Sequence, residues 1–132
     1  APSGSNRQSW KFIIVRKDET KAKLAESCNK QLWVKGADVI VVCCWLPMQG
    51  IDEVRLRRDV TIATEHLILA AVNEGLGACW VGAFDEQSVK SILGIPPDVG
   101  INVLVPIGYS ADQPKPRMVK RLEEIVCYES FQ

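Results

Sequence analysis

The chain has 132 residues, of which 47% are hydrophobic and 24% charged, with 16 basic and 16 acidic side chains. This length and composition predict one globular domain over residues 1–132 and argue against a disordered chain. A net charge of zero excludes a strongly basic nucleic-acid or membrane-surface binder, and no apolar run reaches the roughly 20 residues of a membrane-spanning helix.

The start of the chain and its cysteines bear on the cellular compartment. We expect no signal peptide, since the chain opens with the polar, turn-like APSGSNRQSW. The five cysteines are an odd number, and Cys43, Cys44 and Cys79 lie in apolar segments. We therefore expect buried thiols in a reducing cytoplasm rather than a disulfide framework.

The first third of the sequence predicts a loop, a strand, a helix and a second strand. Residues 1–9 are rich in Ser, Gly and Asn, and residues 10–15 (WKFIIV) form a mostly buried strand. Asp18 is placed to cap a helix over residues 19–29. The run DVIVVCCW at residues 38–45 is continuously apolar, which predicts a central strand buried on both faces.

The next segment predicts the centre of the fold. A helix that is apolar on nearly every side is expected after Asp59, its proposed N-cap, with residues 51–58 leading into it. Gly75 is placed as the left-handed residue after the helix. Residues 77–81 then read as a short buried strand, and Gly82 opens a tight turn.

The remaining sequence predicts a helix, a strand and an arm. Asp85 begins a short helix that Gly94 closes, and residues 101–107 (INVLVPI) form a strand in which Pro106 indicates an edge or a bend. Residues 108–119 form an extended arm rich in Pro and Lys. After it, LEEIVCY is either a last strand or a short helix. Because helices and strands alternate, we expect helices packed on a mixed sheet.

Several kinds of chemistry are disfavoured. His66 is the sole histidine and falls on the apolar helix, so we interpret it as a core or interface residue and expect neither a hydrolytic triad nor a histidine-based metal site. The adjacent Cys43 and Cys44 lack metal-ligand spacing. The glycines of EGLG follow a helix and precede a strand, the reverse of a dinucleotide fingerprint. An enzyme of this sequence would leave the hard chemistry to a cofactor.

Three separated stretches suit one ligand. The loop PSGSNRQSW offers hydroxyl and amide groups at Ser3, Asn6 and Gln8, which can both donate and accept toward a heterocycle. The stretch EGLGACWVGAFD can bring bare backbone to a ligand. The arm carries Lys115 and Arg117, which can close over a phosphate. Taken singly, these stretches are also compatible with a plain loop, a plain turn and a solvated basic tail.

Together, in this order, the three stretches resemble the nitroreductase family of flavin mononucleotide (FMN) enzymes over essentially the whole chain. The resemblance implies an α+β fold, an α/β/α sandwich whose mixed, largely antiparallel sheet is flanked by helices around a central buried helix. It also implies a homodimer in which FMN lies at the interface and each site takes residues from both chains.

The resemblance assigns roles to particular residues. The N-terminal loop would lie along the flavin and its ribityl group, the turn would present backbone to the central ring, and the arm would bind the phosphate. These cofactor-binding residues are Pro2, Ser3, Asn6, Gln8, Val81, Gly82, Ala83, Lys115 and Arg117, with Lys120 and Arg121 as substitutes on the arm. No side chain is expected to be catalytic and no metal is expected, since flavin N5 does the chemistry.

The mechanism that the resemblance implies is ping-pong. NAD(P)H gives hydride to flavin N5, and a nitroaromatic, quinone-like or related acceptor then takes it. The alternative is a non-catalytic flavin-binding or structural dimeric relative of the same fold. Another flavin reaction, such as reductive dehalogenation or flavin breakdown, also stays open.

One departure from the family pattern affects the phosphate. Members of the family carry a helix with an Arg-Arg-Ser-x-Arg motif before the N-terminal loop, and this sequence begins inside the corresponding region. We therefore expect either an N-terminally incomplete domain or a natural short form, and in both cases the arm alone would hold the phosphate.

Overall fold

The computed structural model describes residues 1–112 and 114–131. Four strands and three helices alternate along the chain, with short 3-10 helices at Gly4–Asn6, Leu32–Gly36 and Leu122–Glu124. In chain order the main elements are β1 (Trp10–Val15), α1 (Asp18–Ser27), β2 (Val39–Trp45), α2 (Glu53–Asn73), β3 (Gly77–Ala78), α3 (Glu86–Leu93) and β4 (Gly100–Gly108). None of the helices in the described ranges combines the length and apolarity that crossing a membrane requires.

The four strands form one sheet in the order β1-β2-β4-β3, and each of the three neighbouring pairs is antiparallel. The predicted sheet is mixed and largely antiparallel, whereas all strand pairs of the described sheet are antiparallel. β2 and β4 lie at its centre, and β2 is buried over Ile40 to Cys44 as its apolar sequence predicts.

Helices cover both faces of the sheet. Ile40 and Val42 pack in one apolar core with Leu24 of α1 and Val89 of α3. The alternate β2 side chains pack in a second core that contains Val60 of α2. This alternation follows from the two-residue period of a strand, and it produces the α/β/α sandwich expected from the sequence.

A β-bulge in β4 changes the face of the sheet that the first residues of this strand meet. Cys43 pairs with Val103 and Cys44 with Ile101, so Asn102 is the extra residue. As a result Ile101 joins the α1/α3 core and Val103 the α2 core. The Asn102 side chain donates from Nδ2 to Thr61 Oγ1 of α2 at 3.2 Å.

The first alternative for Pro106, an edge strand, is wrong, because β4 is an inner strand between β2 and β3. The Pro106 carbonyl oxygen accepts a hydrogen bond from the Cys79 N–H at 3.3 Å. The β3 ladder ends at Ala78, immediately before that contact. Proline's missing N–H therefore falls where the neighbouring strand stops.

The start of α2 also differs from the prediction. The helix begins at Glu53, and Asp52 is its N-cap, accepting from the Arg55 N–H at 3.0 Å. Asp59 is not a cap but a buried residue of the helix interior. The end is as predicted, since Gly75 has a φ of +77° directly after the last turn.

α2 is buried on one side only within a single chain. Val60 and Ala63 are buried, whereas Leu69 and Val72 are 58% and 57% exposed. His66 is also exposed, and its Nδ1 lies 2.9 Å from the Ile62 carbonyl oxygen. The expectation of a helix buried all round is therefore met on the sheet side alone.

The prediction for α3 is confirmed. The Asp85 side chain caps it by accepting from the Ser88 N–H at 2.8 Å, and Gly94 closes it with a φ of +64°. The strand predicted over residues 77–81 is shorter, because regular pairing covers β3 and then only a single bridge from Val81 to Leu104.

The cysteines divide into two classes. Cys28, Cys43 and Cys44 are buried as predicted, but Cys79 is exposed, contrary to the expectation from its apolar neighbours. Burial raises the pKa of both Cys43 and Cys44 to about 11. These two thiols are thus protonated at neutral pH and act as core side chains.

Candidate functional site

The N-terminal loop (residues 1–9) brings together the three polar side chains that the sequence singles out. Ser3 Oγ accepts from the Gln8 N–H at 3.0 Å, and Gln8 Nε2 donates to Asn6 Oδ1 at 3.0 Å. Asn6 and Gln8 are exposed, as is Pro2 at the start of the loop. The predicted residues therefore form one surface network rather than three separate contacts.

The backbone of this loop is strained. Ser5, Asn6 and Gln8 have φ values of 51°, 54° and 51°, which lie in the left-handed region. Asn tolerates that region, but for other L-residues it costs about 1–2 kcal/mol each. A loop with three such residues needs contacts elsewhere in the molecule to keep its shape.

Those contacts come from Asp59, whose role sequence reasoning missed. Asp59 Oδ1 accepts from the Gly4 N–H at 2.9 Å, and Asp59 Oδ2 lies 3.0 Å from Arg7 Nη2. The exposed fractions of the Asp59 and Arg7 side chains are 4% and 15%. A carboxylate within an apolar helix needs a buried partner, and that requirement was the available signal.

The turn after β3 is fixed to the sheet at Val81. The Val81 N–H donates to the Leu104 carbonyl oxygen at 2.9 Å, and the Leu104 N–H donates back to the Val81 carbonyl oxygen at 3.1 Å. Gly82 and Ala83 follow at once and are exposed. Bare backbone therefore stands at the surface directly beside a buried anchor.

The fold itself does not require glycine at position 82. Gly82 has no positive φ, and a Cβ built on it would meet only the Trp80 ring, at 3.8 Å. That separation is ordinary van der Waals contact. Trp80 is itself 41% exposed, whereas Phe84 packs against the α1/α3 core. The space in front of Gly82 is thus open.

The C-terminal arm (residues 109–131, apart from Gln113) is exposed throughout its described length. Within that length, no ion pair is found for Lys115 or Arg117. Arg121 instead lies 3.3 Å from Glu123 and 3.4 Å from Glu124. Arg121 is therefore already paired with acidic side chains, unlike Lys115 and Arg117 in the described part of the arm. Gln113, within the predicted arm, lies outside the described residues.

The loop and the arm leave the sheet at opposite ends. Trp10 pairs with Trp45, while Gly108 at the far end of β4 pairs with Gly77 of β3. The loop precedes Trp10 and the arm follows Gly108. The two groups of predicted ligands therefore leave the sheet in opposite directions.

Metal binding has no support in the described ranges, where His, Cys, Asp and Glu side chains form no cluster that could hold an ion. The candidate ligand-binding groups are instead a polar loop, an open backbone turn and a basic arm. These groups can hold a flat heterocycle and an anion by hydrogen bonds and charge.

A model of the nitroreductase family matches residues 1–44 and 39–109. The chain belongs to the nitroreductase family. Two relatives are candidate NADH dehydrogenases/NAD(P)H nitroreductases, from Archaeoglobus fulgidus and Methanothermobacter thermautotrophicus. The first is 31% identical to this chain, and the match covers 86% of this chain and 68% of the relative. The second is 33% identical, and the match covers 88% of this chain and 63% of the relative. The chain thus spans about two thirds of the length of these relatives.

The fold has a solved counterpart in an FMN-dependent nitroreductase from Clostridium difficile. The two structures superpose with a TM-score of 0.86. The match covers 99% of this chain and 81% of the other chain, at 23% sequence identity. This likeness supports the sandwich architecture described above.

Proposed function

We propose that this protein is an FMN-dependent oxidoreductase that passes hydride from NAD(P)H to nitroaromatic, quinone-like or related acceptors. The observation that carries the proposal is Gly82, an exposed glycine that the chain's own conformation and packing do not require. Glycine is needed at such a position when a ligand approaches the backbone too closely for a side chain to fit. Family membership and the activities named for the relatives favour a flavin as that ligand.

The residues present fit this cofactor. Gly82 and Ala83 offer backbone without a bulky side chain, against which a flat ring can lie. Asn6 and Gln8 offer amide groups along its polar edge and ribityl chain. When bound, FMN supplies hydride transfer at N5, accepting from the nicotinamide and delivering to the second substrate. The protein's part is to bind and orient, and no described side chain is assigned a proton transfer.

The arm is assigned to the phosphate. Lys115 and Arg117 are exposed, and a charge-assisted hydrogen bond to an anion contributes about 1.5–3 kcal/mol. Arg117 supplies a planar fork and Lys115 a point charge.

We further propose a homodimer, because one chain leaves both its site and its apolar surface incomplete. The loop and the arm diverge at opposite ends of the sheet, and Leu69 and Val72 of α2 are more than half exposed. The arm also exposes large apolar side chains, among them Met118, Val119, Leu122, Ile125, Tyr128 and Phe131. A second copy that covered these surfaces would place one protomer's arm near its partner's loop.

The direct test is the absorption spectrum of the protein after incubation with FMN and desalting, followed by anaerobic addition of NADH or NADPH. A retained flavin that is bleached by either nucleotide supports the oxidoreductase. A retained flavin that neither nucleotide bleaches supports the non-catalytic alternative. A colourless protein contradicts the proposal if a chain extended before Ala1 also stays colourless.

A Gly82→Val substitution tests the observation itself. The added side chain should weaken FMN binding by roughly tenfold or more, since it fills the space that the ring would use. The free energy of unfolding of the apoprotein should change little. Gly36→Val is the matched control, because Gly36 also lacks a positive φ and its Cβ would meet nothing within 4 Å. Equal flavin binding by the two variants would contradict the site.

A further inference from the structure

We infer that Asp59 and Arg7 form a clamp that positions the N-terminal loop for the flavin. Neither residue is among the cofactor ligands proposed above, so the clamp acts through the loop. The inference rests on the proposed function, because it concerns how the same site is held.

Both carboxylate oxygens of Asp59 are used by the loop. Oδ1 accepts from the Gly4 N–H at 2.9 Å, and Oδ2 lies 3.0 Å from Arg7 Nη2. The Asp59 carboxylate is almost completely buried, and the neighbouring Val60 belongs to the apolar core between α2 and the sheet. The clamp therefore ties a surface loop to a helix whose position is fixed by packing.

Gly4 fits this arrangement closely. A Cβ at that position would lie 2.2 Å from Arg7 Nη2, so the guanidinium rests directly against the glycine backbone. Any side chain there would force the Arg7 guanidinium to shift from the position in which it meets Asp59. Gly4, Arg7 and Asp59 thus behave as one unit, in which the carboxylate binds the loop at two points three residues apart.

The strained residues lie between and just after those two points. Ser5 and Asn6, both left-handed, fall between Gly4 and Arg7, and the left-handed Gln8 follows directly. The clamp spans the part of the backbone that would otherwise relax. Without it, Asn6 and Gln8 would not be held in the conformation that presents their amides together.

The surroundings make the carboxylate's charge important. Arg7, Arg55 and Arg58 line one open cleft of about 310 Å³ together with Asp59. Arg55 is paired with Asp52 at 3.2 Å, so Asp59 is the carboxylate in the cleft lining that faces Arg7. An uncharged side chain at position 59 would leave Arg7 among like charges, and we expect it to swing out.

The test compares Asp59→Asn with the unchanged protein by two measurements. Amide hydrogen exchange of the apoprotein at Gly4 and Gln8 reports the loop directly, and FMN titration reports the site. We expect exchange at both amides to accelerate and the FMN dissociation constant to rise roughly tenfold, as when an outer partner of a binding group is removed. The visible circular dichroism of the bound flavin should also change.

Glu86→Gln is the matched control for general destabilisation. Like Asp59, Glu86 contacts both a basic side chain and a backbone N–H of another segment. Its Oε1 lies 3.0 Å from Lys90 Nζ and accepts from the Ile101 N–H at 3.2 Å. It lies on α3, on the opposite face of the sheet from α2. This variant should lose stability while keeping loop exchange and FMN affinity unchanged.

Two further variants separate positioning from folding. Arg7→Gln should reproduce the Asp59→Asn effects, and the double variant should lose no more affinity than either single variant, since both remove the same interaction. Gly4→Ala should weaken FMN binding by displacing Arg7 while both charged groups remain.

The outcomes are distinct. Unchanged loop exchange in Asp59→Asn would overturn the clamp, and faster exchange with unchanged FMN affinity would overturn its positioning role. Equal loss of affinity in Glu86→Gln would also overturn it, by showing a general stability effect. If neither the unchanged protein nor a chain extended before Ala1 binds flavin, the proposed function is refuted and with it the positioning role, while the exchange data would still decide whether the clamp holds the loop.

Discussion

The N-terminal loop and the C-terminal arm contribute the two groups of polar ligands to the proposed site, yet they are held in opposite ways. Asp59 binds the loop through Gly4 and Arg7 and keeps three left-handed residues in place. The described arm is exposed from end to end. The loop's shape is therefore encoded within one chain, whereas the arm's placement depends on something that binds it.

This difference assigns the two regions different energetic roles. A preformed loop loses little conformational entropy when a ligand arrives, which favours affinity and orientation. An exposed arm that packs on a ligand or partner loses side-chain and backbone entropy on binding, which reduces its net contribution. We therefore expect changes on the arm to alter flavin affinity without altering the stability of the apoprotein.

The largest effect is expected from Lys115→Gln combined with Arg117→Gln. Each lost charge-assisted hydrogen bond costs about 1.5–3 kcal/mol, so FMN should bind roughly a hundredfold more weakly or worse. Flavin fluorescence titration measures the change. The apoprotein should keep its free energy of unfolding within about 0.5 kcal/mol, since both side chains are exposed.

The pair Lys120→Gln and Arg121→Gln serves as the control for that experiment, because it removes equal charge from the same arm. Arg121 already contacts Glu123 and Glu124, so this pair should affect FMN binding less. Equal losses from both pairs would point to general electrostatic attraction rather than specific phosphate ligands.

A smaller effect is expected from charging the exposed side of α2. Leu69→Lys with Val72→Lys would bury unpaired charge in the proposed dimer interface, which costs several kcal/mol. Analytical ultracentrifugation should then give the mass of one chain, with weaker flavin binding because the arm loses its partner. Ile14→Lys, at a residue 61% exposed on β1, is the control. A dimer that survives the double change would place the interface elsewhere.

The smallest effect is a pH dependence of the free energy of unfolding that arises from two cysteines in the central strand β2. Burial raises the pKa of Cys43 and Cys44 from 9.0 to about 11. Between those pH values the unfolded chain loses thiol protons that the folded chain keeps. The free energy of unfolding should therefore fall as pH rises above 9, by up to about 1.4 kcal/mol per pH unit for each thiol.

Urea unfolding at pH 8, 9 and 10 measures this decline. Replacing Cys44 with Val should make the slope shallower while leaving the contribution of Cys43. A slope that is identical in the two proteins would show that Cys44 does not retain its proton in the folded state.

The sequence predicted most of the elements because their signals are local, whereas the sandwich was implied by the family resemblance. A continuous apolar run identifies β2, and Asp85 and Gly94 mark the two ends of α3. Local signals failed where a long-range contact decided the outcome. Asp59 has the chemistry of a helix cap, but its partners lie more than fifty positions earlier in the chain.

The same reasoning explains the mixed result for the site. Ser3, Asn6 and Gln8 do converge, because a short loop keeps neighbours close. Their distance from the arm follows from strand order, since β1 begins at one end of the sheet and β4 finishes at the other. The exposed side of α2 likewise escaped prediction, because composition alone does not distinguish a core from an interface.

The pairing of β2 with β4 has a consequence for how the protein is made. Everything from Leu46 to Val99 lies between these two adjoining central strands, so their ladder closes a long stretch of chain. During synthesis the apolar strand VIVVCCW leaves the ribosome well before its inner neighbour exists. Folding must therefore await the late strand, a topology that favours slow folding and a nascent intermediate in need of protection from self-association.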